Sequence, residues 1–483
     1  MFLGIDIGTS SVKAVLTDAD GAVAGSASRP CTVSRPHPLW SEQEPEDWVA
    51  AAVAAVDELA DRQPEALAAV LGIGFSGQMH GAVLLGADNR VLRPAILWND
   101  GRSHRQCATL EETLPTLRAI SGNIAMPGFT APKLLWVAEE EPEVFAALAK
   151  VLLPKAYVRW RFTGAMVEEM SDASGTLWLD VARRDWSDDL LAATRMTRAH
   201  MPDLAEGSDA VARLSPELAR RWGMREQPLV AGGAGDCAAS AVGLGAIASG
   251  DGFLSLGTSG VVWRTTDRFL PNPAMAVHAF CHALPGVWHQ MGVMLSSAAS
   301  LAWAASTLGA PEAELLAPLG DAVDGPSPVA FLPYLSGERT PHNDATVRGL
   351  FAGLSAETTR DAMVQAVLEG VAFASRDNLV ALGEGAPTVF DLAGGGSRSR
   401  LWARICADAL GVTIHRIEDG EVGAALGAAH LGRMAATGEA PAAVCRKPRR
   451  LETFTPDPAR AEAYSQSWLR WRRLYPLAKE FAS

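Results

Sequence analysis

The opening of the chain alternates two short apolar runs with a turn of small residues: GIDIGTSSVKAVLTD, residues 4–18. Runs of this length, rich in Ile and Val and split by Gly, predict a strand–turn–strand hairpin. Pro45 then introduces a helix on which Trp48, Ala52, Ala55, Val56 and Leu59 share one face, while Asp57, Glu58 and Asp61 share the other. Further strands are expected at residues 70–75, 82–85 and 94–98, followed by a mostly helical stretch between about 111 and 195. PLVAGGAGDCAASAVGLG, residues 228–245, reads as a strand, a glycine turn and a small-residue helix.

The pattern then starts again. FLSLGTSGVVWRTTD, residues 253–267, repeats the opening hairpin at a constant offset of 249, with six of fifteen positions identical. An apolar strand at 329–332 follows, then a helix with Met363, Val367, Val371 and Ala374 on one stripe. TVFDLAGGGSRSRLWARICADAL closes the series as strand, triple glycine and helix. The repeat implies duplication of an α/β unit. Two domains are expected, at residues 1–242 and 243–483, with the last helix packing back on the first.

Composition narrows the class. A chain of 483 residues exceeds one ordinary core, and 48% hydrophobic with 20% charged residues is that of a globular protein. A net charge of −13, with no basic run interleaved with aromatics, argues against a nucleic-acid partner. The six cysteines are scattered without a close CxxC pair, so neither a zinc knuckle nor a disulfide framework is indicated. Asp6 interrupts the N-terminal apolar stretch, which argues against a signal peptide. The uncharged run at 291–311 carries five Ser and Thr and reads as a buried helix rather than a membrane span. A cytoplasmic location, away from membranes, is expected.

The candidate chemistry begins with Asp6, a carboxylate in the middle of an apolar strand, where an unpaired charge would be costly. A Gly-Thr-Ser turn between strands exposes backbone N–H groups and hydroxyls, a cradle for phosphate. Two such turns facing one another could hold a polyphosphate between domains. Only one side needs a carboxylate to hold a bridging divalent cation, and Mg²⁺ suits the task. Asp6 supplies that carboxylate, and Ser255 stands in its place in the second copy. Lys13, five residues past Gly8, is within reach of a terminal phosphate.

Other readings are weaker. There is no Gly-Lys pair, so the P-loop is absent. GIGFSG, residues 72–77, spells the dinucleotide fingerprint, but strand and turn follow it instead of a helix. HAFCH, residues 278–282, has metal-like spacing without a metalloprotease glutamate, and Pro285 follows closely. The triple glycine 394–396 lets backbone approach a flat ligand or a packed helix. Asp236 ends a glycine turn, as a helix N-cap or as a base at a cleft mouth. His80 lies in a glycine-flanked loop after a strand, either a core histidine or one that faces ligand.

Taken together, GIDIGTSSVK, GFTAPKLLWVAEE (residues 128–140), YLSGERTPHND (334–344) and LEGVAFASRDNL (368–379) resemble blocks of the FGGY carbohydrate kinases. VSRPHPLWSEQEPEDW, SGQMHGAVLL, RPAILWNDGR and FCHALPGVWH are similar to the branch of that family acting on D-xylulose. The likeness runs in order from about residue 2 to about residue 432. It implies two duplicated ribonuclease H-like domains, of the actin, hexokinase and heat-shock ATPase kind, around a central cleft. It also implies an enzyme that uses Mg²⁺ and ATP to make D-xylulose 5-phosphate.

Carried onto this sequence, the resemblance makes Asp236 the catalytic base and Asp6 the catalytic, metal-associated acid. Met79, His80, Asp236 and Cys237 would meet the sugar. Thr9, Ser10, Lys13 and Thr258 would contact phosphate, and Trp303, Gly395 and Ser399 adenosine. Cys237 replaces the Asn usual after the base, and Ser399 ends GGGSRS where Asn is usual. D-ribulose, L-xylulose or glycerol therefore remain alternative acceptors, with a nucleotide-switched non-kinase ATPase as a further alternative. The resemblance is compatible with a homodimer.

Overall fold

The computed structural model describes residues 1–418 and 423–482. Among them are two seven-stranded sheets. The first runs Ala210–Arg213, Leu229–Ala231, Gly72–Gly77, Phe2–Ile7, Ser11–Thr17 and Val23–Pro30, with Ala234–Gly235 also paired to Gly72–Gly77. The second runs His278–Cys281, Trp288–Met294, Gly260–Thr266, Gly252–Leu256, Val389–Ala393, Thr413–Ile417 and Arg450–Phe454. From Val23–Pro30 inward, neighbours are antiparallel, antiparallel, parallel, parallel and antiparallel. From Trp288–Met294 the second sheet repeats that order. Duplication therefore extends from the two short turns to the whole topology.

The helix expected after Pro45 spans Pro45–Arg62 and buries Trp48, Ala52, Ala55, Val56 and Leu59 against the first sheet. GIGFSG is itself the strand Gly72–Gly77, fully buried, and its glycines serve packing. A Cβ at Gly74 would lie 1.8 Å from the Ala428 carbonyl oxygen, at Gly4 1.9 Å from that of Ala425, and at Gly72 2.0 Å from that of Gly432. The helix Gly423–Thr437 thus lies backbone to backbone on the first sheet. A Cβ at its Gly427 would likewise lie 1.8 Å from the Ala239 carbonyl oxygen, so the same helix also backs Asp236–Gly243.

Two expectations need correcting. Residues 291–311 are not one buried helix. They finish the strand Trp288–Met294, turn, and then form the helix Ala298–Leu308. An apolar run without periodicity does not distinguish these cases, and pairing to Gly260–Thr266 decides for the strand. The last helix, Leu474–Ala482, does not return to the first sheet. Leu474 and Ala478 enter the second core, and Tyr475 stacks on His342 at 3.6 Å. The crossing element is Gly423–Thr437, because only its glycines and alanines permit so close an approach.

The lobes also meet at the edge strand His278–Cys281. Asn123 Nδ2 donates to the Ala279 carbonyl at 3.2 Å, and Cys281 N–H donates to Ser174 Oγ at 3.1 Å. Arg184 binds Glu206 and the carbonyl oxygen of Val287. No helix among the described residues is long and apolar enough to cross a membrane.

Candidate active site

Asp6 lies near the end of the central strand, beside Ser76 on one side and Lys13 on the other. Ser76 Oγ donates to Asp6 Oδ1 at 2.7 Å. Burial raises the Asp6 pKa, against the pull of that hydroxyl and the Lys13 charge. The turn beyond is pinned on several sides. Gly8 N–H donates to the Ser11 carbonyl at 3.0 Å. Thr9 Oγ1 donates to Gln78 Oε1 at 2.8 Å and accepts from Trp98 Nε1 at 3.0 Å. Gln43 donates to the Thr9 carbonyl at 2.8 Å while its own oxygen accepts from Trp48 and Gln78. Ser10 is exposed at the tip.

Asp236 enters from the opposite flank of Gly72–Gly77. Ala234 and Asp6 both pair with Ser76, so two strand spacings, about 10 Å, separate their backbones. Asp236 is the first residue of the helix Asp236–Gly243 and is not its N-cap, which is Gly235. Its Oδ1 accepts the adjacent Cys237 N–H at 2.7 Å. Burial, reinforced by the Asp6 charge, lifts its pKa to about 6. A carboxylate whose charged form is penalised both by burial and by a second carboxylate creates a demand for a cation.

A buried polar cluster anchors the backbone that carries Asp236. Gly235 N–H donates to Glu169 Oε1 at 3.1 Å and Ser171 Oγ at 3.0 Å. Lys155 Nζ sits 2.8 Å from Glu169, 3.1 Å from Glu168 and 3.4 Å from Asp172. Those three acids lie close enough to hold a metal, but the Lys155 ammonium already occupies their centre. None of these residues stood out in the sequence.

His80 and Met79 follow Gln78 in the turn after Gly72–Gly77. The His80 ring meets Phe129 edge-on at 4.8 Å, and its Nδ1 is 2.6 Å from the Gly175 carbonyl oxygen. A carbonyl only accepts, so Nδ1 carries the proton. Burial holds the ring neutral, with a pKa of about 3, leaving Nε2 as an acceptor. The Met79 side chain packs on Gly235 and Gly175, where a Cβ at either would approach it within 2.9 Å. From the second lobe, Arg339 Nη1 lies 3.3 Å from His278 Nε2, and His278 Nδ1 bonds Asn123 at 2.9 Å. The paired histidines of HAFCH have different protein partners: His282 Nδ1 accepts the Leu284 N–H.

In the second lobe the Thr258 carbonyl accepts from Ser297 N–H at 3.0 Å, which seats the turn on the start of Ala298–Leu308. Thr258, Gly395 and Ser399 line one cavity of about 1080 Å³, with Leu301, Asp321 and Trp402. Gly394, at φ +78°, presses on the second turn, and its Cβ would lie 2.8 Å from the Gly257 nitrogen. Ser399 Oγ caps Arg400–Leu410 by accepting Trp402 N–H at 3.1 Å. Trp303 does not join this cavity. It stacks on Phe331 at 5.5 Å and on Phe351, because its place on the helix turns it to that neighbouring aromatic cluster. Cys237 lines a smaller interlobe cavity of about 340 Å³ with Ser255, Gly394 and Gly395.

A Gly-Thr-Ser turn heads each of the duplicated sheets, and two buried acids, Asp6 and Asp236, flank one strand of the first. Residues 1–243 match the N-terminal domain, and residues 252–436 the C-terminal domain, of the FGGY family of carbohydrate kinases. The chain belongs to that family, and it is a kinase that transfers phosphate to an alcohol. It is 49% identical to the xylulose kinase of Escherichia coli K12 over 98% of both chains. It is 48% identical to that of Klebsiella pneumoniae over the full length of both. A solved xylulose ("xyloylose") kinase from Brucella ovis superposes with a TM-score of 0.96 at 51% identity, covering 99% of each chain.

Proposed function

We propose that the chain transfers the terminal phosphoryl group of ATP to the terminal hydroxyl of D-xylulose, giving D-xylulose 5-phosphate and ADP. The observation that carries the chemistry is Asp236, a carboxylate raised to about 6 beside Asp6 at the junction of the lobes. The acceptor is supported by relatives named as xylulose kinases that align along the whole chain. In this reading the turns at Thr9, Ser10 and Thr258, with Lys13, hold the phosphates. Adenosine lies in the cavity lined by Gly395 and Ser399. Met79 and His80 orient the ketose, with His80 Nε2 accepting a sugar hydroxyl.

Phosphoryl transfer asks the protein for positioning, charge neutralisation and a base. Asp236, ionised above its pKa, takes the proton of the attacking hydroxyl. The sugar oxygen forms a bond to the γ-phosphorus as the bond from that phosphorus to the bridging oxygen breaks, and ADP leaves with that oxygen. Asp6 fits a divalent cation, since its Oδ1 is bonded to Ser76 and a second carboxylate stands opposite. Mg²⁺ held there would neutralise phosphate charge. Six unpaired cysteines suit a reducing cytoplasm.

The test is ADP release with Mg²⁺-ATP and a panel of D-xylulose, L-xylulose, D-ribulose, L-ribulose and glycerol, with Asp236→Ala as control. D-xylulose should lead and the control should be inactive. A different leading sugar would overturn the acceptor and keep the chemistry. Equal ADP release with and without any sugar would overturn the kinase reading.

A further inference from the structure

Lys133, in the GFTAPKLLW block, is fully buried, and among the described residues it has no carboxylate within ion-pair distance. Burial pulls its pKa down to about 7. Such a side chain is expensive to keep unless its donors meet specific acceptors. Its Nζ donates to two carbonyl oxygens, that of His80 at 2.8 Å and that of Gly128 at 2.7 Å. Thr130 Oγ1, on the same helix and equally buried, adds a second bond to the His80 carbonyl at 3.1 Å.

His80 needs such support. Its φ is +69°, in the left-handed region that a non-glycine residue seldom occupies. Gly81 N–H donates to the Met79 carbonyl at 2.9 Å, closing a three-residue turn with His80 at its centre. That turn form, with positive φ, is rare and strained. Gly175 lies so close beneath the ring that a Cβ there would fall 2.6 Å from it, so only glycine fits at that position. The ring is fixed at one end by the Gly175 carbonyl, and the backbone at the other by Lys133 and Thr130.

We propose that Lys133, assisted by Thr130, is a positioning residue that holds the strained turn at His80 so that Nε2 presents its lone pair to the sugar. It touches neither substrate. This role rests on the reading of His80 as a sugar-binding residue. It predicts a larger effect on the sugar than on ATP, since the adenosine cavity lies on the other lobe and the turn at Thr9 reaches His80 only by way of Gln78.

The experiment measures steady-state KM for D-xylulose and for ATP in Lys133→Met and Thr130→Val, with ¹⁵N-histidine spectra of each protein. Met keeps the length of the chain without the donors, and Val keeps the shape of Thr. Lys133→Met should raise the sugar KM at least about 10-fold and leave the ATP KM within about twofold. Thr130→Val should raise it by a smaller factor, and in both variants His80 should lose its pure Nδ1-protonated signature. If Lys133→Met does not fold, Thr130→Val decides the matter. An unchanged sugar KM with an unchanged His80 spectrum in a folded variant would overturn the role, as would equal losses for both substrates. Failure of the unaltered protein to phosphorylate any sugar would instead overturn the proposed reaction.

Discussion

The Thr9 hydroxyl donates a hydrogen bond to Gln78 Oε1 over 2.8 Å, which ties the first Gly-Thr-Ser turn to the residue just before Met79 and His80. The turns proposed to hold phosphate and sugar are therefore parts of one hydrogen-bonded unit. Gln78→Ala removes one hydrogen bond from the Thr9 hydroxyl and one from the oxygen of Gln43. The expected result is a fall in kcat on the order of 10²-fold, from misplacement of the turn. Single-turnover kinetics would show the loss in the chemical step, with product release unaffected.

In the proposed reaction, Asp236 sets the acid limit of activity. Its pKa is raised, so it is protonated and unable to accept a proton below about pH 6, and ionised above. The profile of kcat/KM should therefore rise with pH through about 6 and level off. Asp6→Asn removes the neighbouring charge that helps lift this pKa, so the rising limb should move to lower pH even as overall activity drops. Asp236→Ala should cost about 10²–10⁴-fold in kcat. A limb that stays in place in Asp6→Asn would show that burial alone sets the value.

Trp303 and Thr258 give opposite expectations. Trp303 stacks on Phe331 outside the large cavity of the second lobe. Trp303→Ala should leave the ATP KM within about twofold and cost about 1 kcal/mol of stability from the lost aromatic pair. Thr258→Val, inside the cavity, should raise the ATP KM and hardly alter the melting temperature. Nucleotide titration and thermal unfolding of both variants check this.

The glycine seam makes a stability prediction. A Cβ on Gly74 would sit 1.8 Å from the Ala428 carbonyl, backbone that cannot swing aside. Gly74→Ala should destabilise by about 3 kcal/mol or more. Gly325, whose added Cβ meets nothing within 4 Å, is the control. Gly325→Ala should leave the unfolding midpoint nearly unchanged.

Much of this architecture is readable in the chain because it depends on local pattern. The two Gly-Thr-Ser turns betray the duplication, and Asp6 is conspicuous as a charge between isoleucines. The helix after Pro45 is fixed by its apolar stripe. What stays hidden depends on partners distant in sequence. Nothing in GAALGAAHLGRMAAT says that its carbonyls will rest on Gly4 and Gly74, since small residues record that something comes near and not what. Lys133 belongs to a recognisable block, but the strain it restrains exists only once His80 turns left-handed. Trp303 shows the converse, for an aromatic near a ligand site carries no sign of which side it faces. The Lys155 cluster behind Gly235 is spread over residues 155 to 172 and has no motif.

The helix Gly423–Thr437 also constrains the order in which the protein can be made. On the ribosome the strands of the first sheet emerge early, and domains ordinarily fold as they appear. Here the layer that covers Phe2–Ile7 and Gly72–Gly77 is encoded more than three hundred residues later. The first sheet must wait, with that apolar face bare, until nearly the whole chain has been synthesised. A nascent chain stalled before residue 423 would thus be a target for chaperones, and its early half would become protease-resistant only when the late helix arrives.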